Sequence, residues 1–416
     1  MIYASHLAHI EAVLSQLMRF EYPADTTLAY YFRAHPQLGA QDRSFIAETA
    51  FSCLRHYTQL TALIAPDTPS PRRLMLATLT RILSISQKEI ASTLKESERQ
   101  WISVLKGRTL PTTLPVQSGL PDWVIERLHI PSEELIALGK GLMRTAPLDL
   151  RVNAYKAKRD EVLTCLRTEG IEAVATPFSP IGIRLTTKLA INQHPLFKQG
   201  IIEVQDEGSQ LLGLITGARR GEMVVDFCAG AGGKTLLIGA QMASTGRLYA
   251  FDVSEKRLSH FKPRLTRSGL SNVHPQRIAH ENDTKIKRLM GKIDRVLVDA
   301  PCSGLGTLRR NPDLKFRQNA QSISELTAKQ MAILNSASRL LKPGGYLFYA
   351  TCSILPEENQ HIIDTFLASH AHFHLKPMAP LLAELRIVLD TGDYLELKPH
   401  QHNTDGFFAA ALQRLD

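Results

Sequence analysis

From about residue 203 to the C-terminus, short apolar runs of strand character alternate with amphipathic helical stretches, and no other feature limits the fold as much. The alternation implies an α/β architecture with a doubly wound, mostly parallel sheet. Two of the strands carry unusual ends. Val296-Leu297-Val298 runs into Asp299-Ala-Pro-Cys302 and then two glycines, and GYLFYATCS (345–353) ends on Cys352. Open α/β sheets bind ligands beyond the carboxyl ends of their strands. An acid and two thiols are therefore expected at one edge, at the mouth of a site. Arg309, Arg310, Lys315 and Arg317 follow the first thiol, so the ligand entering that mouth is read as polyanionic.

The first strand of this half, Met223–Phe227, leads into CAGAGGKT (228–235) and a helix. A phosphate-binding P-loop needs glycine five residues before Gly233, where Cys228 stands. The dinucleotide pattern G-x-G-x-x-G needs glycine at Thr235. Both fail. What remains is a loop of small residues that lets a ligand lie against the backbone at a helix N-terminus. Twenty-two residues after Gly230, the strand GRLYAFD ends in Asp252, well placed for ribose hydroxyls. A loose glycine loop followed by that acid points to S-adenosylmethionine rather than NAD.

The first half reads differently. A chain of 416 residues implies two or three domains. Residues 1–118 read as all helical, with apolar stripes such as Leu7, Ile10, Val13, Leu14 and Leu17. Residues 119–202 carry a β-α-β-β pattern: Leu148–Val152, the helix KRDEVLTCLRTEG (158–170), then IEAVATP and IGIRLT. The expected division is thus 1–118 helical, 119–202 small α+β, and 203–416 catalytic. The N-terminus lacks the basic start of a signal peptide, and no apolar run reaches about 18 residues, so a cytoplasmic protein without a membrane partner is expected. Five scattered cysteines, none in a C-x-x-C pair or near histidine at zinc spacing, imply reduced thiols and no metal. Cys53 and Cys165 are assigned to core. The net charge is +9, and residues 256–317 alone hold 15 Lys and Arg against 5 Asp and Glu. That clustering tilts the reading from a merely solubilising surface toward a nucleic-acid phosphate track.

Several stretches together resemble the RsmB/NOP (Sun) family of RNA 5-methylcytosine methyltransferases. They are VQDEGSQLL (204–212), DFCAGAGGKT (226–235), FDVSEKRL (251–258), DAPCSGLGTLRRNPDLKF (299–316), LLKPGGYLFYATCSILPEEN (340–359) and DGFFAAALQR (405–414). The resemblance implies a Rossmann-like class I methyltransferase domain, a small RRM-like α+β domain before it, and a NusB-like helical extension carried by QDRSFIAETAFSCLRHYTQL (41–60). The family loop reads AAPGGKT. Here Gly230 and Ala231 replace its Ala-Pro.

Carbon 5 of cytosine is a poor nucleophile until a thiolate adds to carbon 6, which is covalent catalysis by sulfur. The resemblance implies that Cys352 attacks, that Cys302 assists product release, and that Lys234 lies near the base. Asp299 can accept a hydrogen bond from the cytosine amino group. For the cofactor, S-adenosylmethionine, Cys228, Ala229, Gly230, Ala231, Gly232, Gly233 and Lys234 form the loop, with Cys228, Gly230 and Gly232 expected at the methionine end. Asp252 is expected at the ribose, Arg257 bracing it, and Asp299 at the cofactor's edge as well. Asp283 is expected either near the adenine, as the family suggests, or as a cap. Arg309, Arg310 and Lys315 are expected to hold RNA phosphate. The implied partner is RNA, rRNA ahead of tRNA, acted on by a monomer; the competing class is a catalytically idle RNA-binding assembly factor.

Overall fold

The structure, a computed structural model, describes residues 3–187 and 189–415. The chain divides into two compact units, one of Met1–Thr145 with Thr307–Ala320, the other of Ala146–Gly306 with Gln321–Asp416.

The first unit is all helical among its described residues. Its core forms as the apolar stripes predict: Leu7, Ile10, Val13, Leu14 and Leu17 of the helix Ala4–Leu17 pack on Ile46, Ala50, Cys53 and Leu54 of the helix Ala40–Arg55. Helices continue past the expected boundary at 118, through Asp122–Leu128 and Ser132–Met143. The segment 307–320 also belongs here. Phe316 packs against Phe20 and Tyr57, with ring centroids 4.9 and 5.1 Å apart. The Asp313 carboxylate accepts the backbone N–H of Ala24 at 3.3 Å, at the start of the helix Ala24–Ala34.

The second unit holds two sheets. In the smaller, β1 (Leu148–Val152), β2 (Ala173–Ala175), β3 (Gly182–Leu185) and β4 (Ile202–Val204) pair antiparallel in the order β2-β3-β1-β4. The helix Arg159–Thr168 packs Val162, Leu163 and Leu166 into their core. Cys165 is not core as expected. It is half-buried, its thiol donating to Glu169 at 3.3 Å, because it sits at the edge of that helix's apolar stripe.

The larger sheet contains β5 (Met223–Asp226), β6 (Arg247–Asp252), β7 (Val273–Arg277), β8 (Ile293–Asp299), β9 (Leu341–Thr351), β10 (Phe373–Lys376), β11 (Leu395–Leu397) and β12 (Phe407–Arg414). Its order is β10-β12-β9-β8-β5-β6-β7, with β11 beside β12. The strands β5 to β9 run parallel; β10, β11 and β12 pair antiparallel. Val224, Val225, Val296, Leu297 and Val298 are fully buried, as strands covered on both faces must be. The chain moves outward from β5 to β7 and then returns to β8 on the other side of β5. The carboxyl ends of β5 and β8 therefore flank a topological switch point, where such sheets open a crevice.

Candidate active site

A cavity of about 380 Å³ opens at that switch point. Its floor is the loop after β5, and its walls come from the ends of β6, β8 and β9 and the helix Ala320–Ser338. Gln205, Cys228, Ala229, Gly230, Ala231, Gly233, Lys234, Asp252, Arg257, Asp299, Cys302 and Cys352 all line it.

The loop turns sharply enough that Gly230 and Gly232 adopt φ of +56° and +81°. At Gly232 the requirement is double, since a Cβ would lie 2.2 Å from the Phe261 ring. Gly232 is thus turned into the core and does not line the cavity, contrary to the expectation that it meets the methionine end. Gly230, by contrast, has open space beside it. The loop is held from outside. The Ala231 carbonyl accepts from Arg264 at 2.7 Å, and the Gly233 carbonyl accepts from Arg151 of β1 at 2.5 Å. Asp252, 3 % exposed, accepts the Gly230 N–H at 2.9 Å and the Ser254 N–H at 2.7 Å, and lies 3.4 Å from the Arg257 guanidinium. Val253 and Ile278 flank it with apolar surface.

These groups fit an adenosyl ligand. A buried acid can take vicinal hydroxyls, apolar side chains can sandwich a planar base, and the small-residue loop leaves room for the rest. The cation a pyrophosphate would want is already engaged, because the Lys234 ammonium donates to Asp299 at 2.7 Å. Burial disfavours that ammonium, but the charge and hydrogen bond of Asp299, with the charge of Cys352 beyond it, outweigh burial and raise its pKa. Asp283 lies outside the cavity. It caps the short helix Thr284–Lys287, accepting from Ala279 N–H and Lys285 N–H at 2.9 Å each, and those bonds hold its carboxyl below the usual range. Glu281, two residues earlier, lines the cavity instead.

The strands β8 and β9 are parallel neighbours paired as far as Asp299 and Ala350, so both thiols emerge at the same edge. Cys302 Sγ and Cys352 Sγ lie 3.2 Å apart, and the Cys352 N–H points at Cys302 Sγ from 3.3 Å. Contact with Cys352 most of all, then burial and the charges of Cys352 and Glu358, push the Cys302 thiol well above its ordinary value. Behind the thiols the chain is tightly packed. Gly306 N–H donates to the Cys352 carbonyl at 2.9 Å, Gly406 N–H donates to the Gly306 carbonyl at 2.8 Å, and a Cβ on Gly306 would fall 2.1 Å from the Gly406 oxygen.

The basic run after Cys302 is not an open phosphate track. Lys315 is 3 % exposed, and its ammonium donates to the carbonyls of Arg55 and Gly119 at 3.0 and 2.8 Å. Burial, reinforced by the Arg55 charge, brings its pKa down to about 7. Arg309 is also 3 % exposed, its carbonyl accepting from Arg55 at 3.2 Å, and Arg310 is half-buried. The charge of Arg309 and Lys315 suggested RNA, yet their side chains are buried in the helical unit. Gln205, Ser209, Glu281 and Lys329 line the cavity without having been singled out as site residues. For Gln205 and Ser209 the family-like stretch VQDEGSQLL was the available signal.

Among the described residues, no group of His, Cys, Asp and Glu could hold a metal ion, and no helix is long and apolar enough to cross a membrane.

Comparison with known proteins agrees with this geometry. A model of the 16S rRNA methyltransferase RsmB/F family matches residues 214–413, and one of the ferredoxin-like domain of RsmF/B-like methyltransferases matches residues 120–192. The probable ribosomal RNA small subunit methyltransferase B of Synechocystis sp. is 30% identical over 453 residues, covering 100% of both chains. The ribosomal RNA small subunit methyltransferase B of Erwinia tasmaniensis is 36% identical over 301 residues, covering 70% of this chain and 66% of its own. Among solved structures, PH0851 superposes with a TM-score of 0.78 at 26% identity over 100% of this chain and 99% of its own. A methyltransferase homolog from Pyrococcus horikoshii reaches 0.63 at 28% identity over 73% of this chain and 98% of its own.

Proposed function

Because the chain belongs to the RsmB/F family of 16S rRNA methyltransferases, which use S-adenosylmethionine, we propose that it methylates carbon 5 of a cytosine in small-subunit rRNA through a covalent adduct on Cys352. The observation that carries this reading is the pair of thiols 3.2 Å apart beside the Asp299–Lys234 ion pair. Methylation at nitrogen or oxygen requires no thiol, and binding RNA requires neither.

Cys352 supplies the nucleophile. Its sulfur bonds to carbon 6, and the ring's electrons shift to make carbon 5 nucleophilic. Asp299 accepts from the cytosine amino group, which uracil lacks. Lys234 pairs with Asp299 and sets a positive charge near Cys352. When bound, S-adenosylmethionine supplies an electrophilic methyl group, and Asp252, Gly230 and Cys228 line the surface that would hold it. Once Cys352 is bonded to carbon, its own contact and charge no longer hold the proton on Cys302, while burial and the Glu358 charge remain. Cys302 can then ionise to solvent and take the carbon-5 proton. The electrons of that C–H bond restore the ring double bond, and the S–C bond breaks to regenerate the Cys352 thiolate.

Bisulfite sequencing of 16S rRNA and tRNA from a strain lacking this chain, with and without complementation, tests the assignment. One protected cytosine in 16S rRNA, lost on deletion and restored by the wild-type chain, is the expected result. An unchanged rRNA pattern with a lost tRNA site would move the substrate, and no lost site in either would overturn cytosine methylation.

A further inference from the structure

We propose that Glu358 is a positioning residue that sets the separation of Cys302 and Cys352 by holding the two thiol-bearing loops on one buried carboxylate. The inference rests on the two-thiol reading above but concerns a residue outside the cavity.

The sheet does not fix the thiols by itself. Pairing of β8 with β9 ends at Asp299 and Ala350, with one further bond from Ala300 N–H to the Ala350 carbonyl at 2.8 Å. Both cysteines come after the ladder has stopped. Each is followed by a serine, Ser303 and Ser353, and both serines turn to the same acid. One oxygen of Glu358 accepts the Ser303 N–H at 2.8 Å and the Gln330 amide at 3.0 Å. The other accepts the Ser303 hydroxyl at 2.5 Å and the Ser353 hydroxyl in a shorter bond. The two hydroxyl oxygens lie 3.2 Å apart, as the two sulfurs do.

Glu358 itself is fully buried, and among the described residues no cation pairs with it. An ionised carboxylate in such a place is costly unless several donors converge on it, and here four do. Its backbone is fixed as well. The Glu358 carbonyl accepts the Tyr349 hydroxyl at 2.6 Å, and the next residue, Asn359, accepts from Thr351 at 2.6 Å and donates to the Ser353 carbonyl at 3.1 Å. A glutamine keeps the shape but not the bonding. One of its two terminal atoms would turn from acceptor to donor, so either both serine hydroxyls must rotate to accept from it or it meets an N–H and an amide that can only donate, and the charge that draws the four donors together is lost. Beyond geometry, the Glu358 charge is one of the groups that keep the proton on Cys302.

The test is Glu358→Gln, with Ser303→Ala and Ser353→Ala as variants that keep the carboxylate but remove one tie each. The first readout needs no RNA. Diamide takes one thiolate as a sulfenylhydrazine, and the second sulfur then displaces the hydrazine to close the disulfide, a closing step whose rate depends on how often the sulfurs meet. It is followed by mass spectrometry on the full chain. Glu358→Gln is expected to slow it by roughly tenfold or more, with each serine variant intermediate. The second readout is methylation. A shift of order 1 Å at reacting atoms costs up to about 100-fold, so kcat should fall by roughly that factor while the KM for S-adenosylmethionine stays within about twofold. A merely structural role would lower the melting temperature and leave the disulfide rate of the folded fraction unchanged. If Glu358→Gln does not fold, the serine variants decide alone: unchanged disulfide rate and kcat in both would overturn the proposal. A wild-type chain that forms the disulfide readily but methylates no cytosine would refute the proposed function and leave the positioning role standing.

Discussion

Cys302 and Cys352 touch, yet their surroundings give them different work. Cys302 faces the charge of Glu358 and holds its proton, while Cys352 faces the Lys234 ammonium. Opposite phenotypes are therefore expected. Cys352→Ala should be inactive and leave protein and RNA separable in a denaturing gel. Cys302→Ala should still attack and transfer methyl but stall at release, accumulating a detergent-stable protein–RNA adduct that the double variant does not form. Rates alone would mislead, because residues that act as a unit behave non-additively. An adduct from Cys352→Ala and none from Cys302→Ala would reverse the roles. The sequence made both thiols, Asp299 and Lys234 readable because each follows directly on a strand or opens a helix. Glu358 was not readable as a site residue, although it falls within the family-like stretch 340–359. An acid in a proline-led turn looks like surface until the two serines that bind it are brought together from 50 residues apart.

At the scale of elements, the join between β5 and the helix Gly233–Gln241 carries a titratable latch. Asp226, 1 % exposed at the end of β5, accepts the Thr235 hydroxyl at 2.6 Å. Burial, and the Asp299 charge, raise its pKa to about 7 against the helping Thr235 bond. A raised carboxyl pKa means that the stabilisation is complete below the unfolded value of 3.8 and is lost as pH climbs through about 7. Asp226→Asn keeps the acceptor and removes the charge. Its stability relative to wild type should rise between pH 4 and 8, by up to about 4 kcal/mol at 1.36 kcal/mol per pH unit, read from denaturant midpoints across that range. A difference that does not vary with pH would show that Asp226 is ionised throughout. The elements themselves were largely legible: β1 to β3, β5, β6, β8 and β9 lie where apolar runs placed them. The miss was in the arm 307–320, where Arg309 and Lys315 are expected to hold RNA phosphate and are instead buried. Its charges look alike in sequence whether they meet phosphate or carbonyls, and only the pairing of Lys315 with Arg55 and Gly119, far away in the chain, distinguishes the two.

For the whole molecule, that miss redistributes the charge. Of the basic residues between 256 and 317, the exposed ones are Lys256, Arg257, Lys262, Arg277, Lys285, Lys287, Arg288 and Lys292. They lie on the helices Glu255–Ser268 and Thr284–Lys287, at the end of β7 and in the turn before β8. Arg309 and Lys315 are sealed in the helical unit and cannot exchange counterions with an RNA backbone. Affinity that comes from neutralising Z phosphates of a single strand falls with a log–log salt slope of about −0.7Z. Replacing Lys285, Lys287 and Lys292 together by alanine removes three exposed charges. If all three meet phosphate, the slope for a single-stranded 16S rRNA fragment should flatten by about 2. Fluorescence anisotropy over a potassium chloride series would measure it. Lys315→Met should leave the slope unchanged and act on the melting temperature instead, since it removes two buried hydrogen bonds and no surface charge. A flattened slope for Lys315→Met, with none for the triple variant, would return the phosphate track to the arm and contradict the burial of its ammonium.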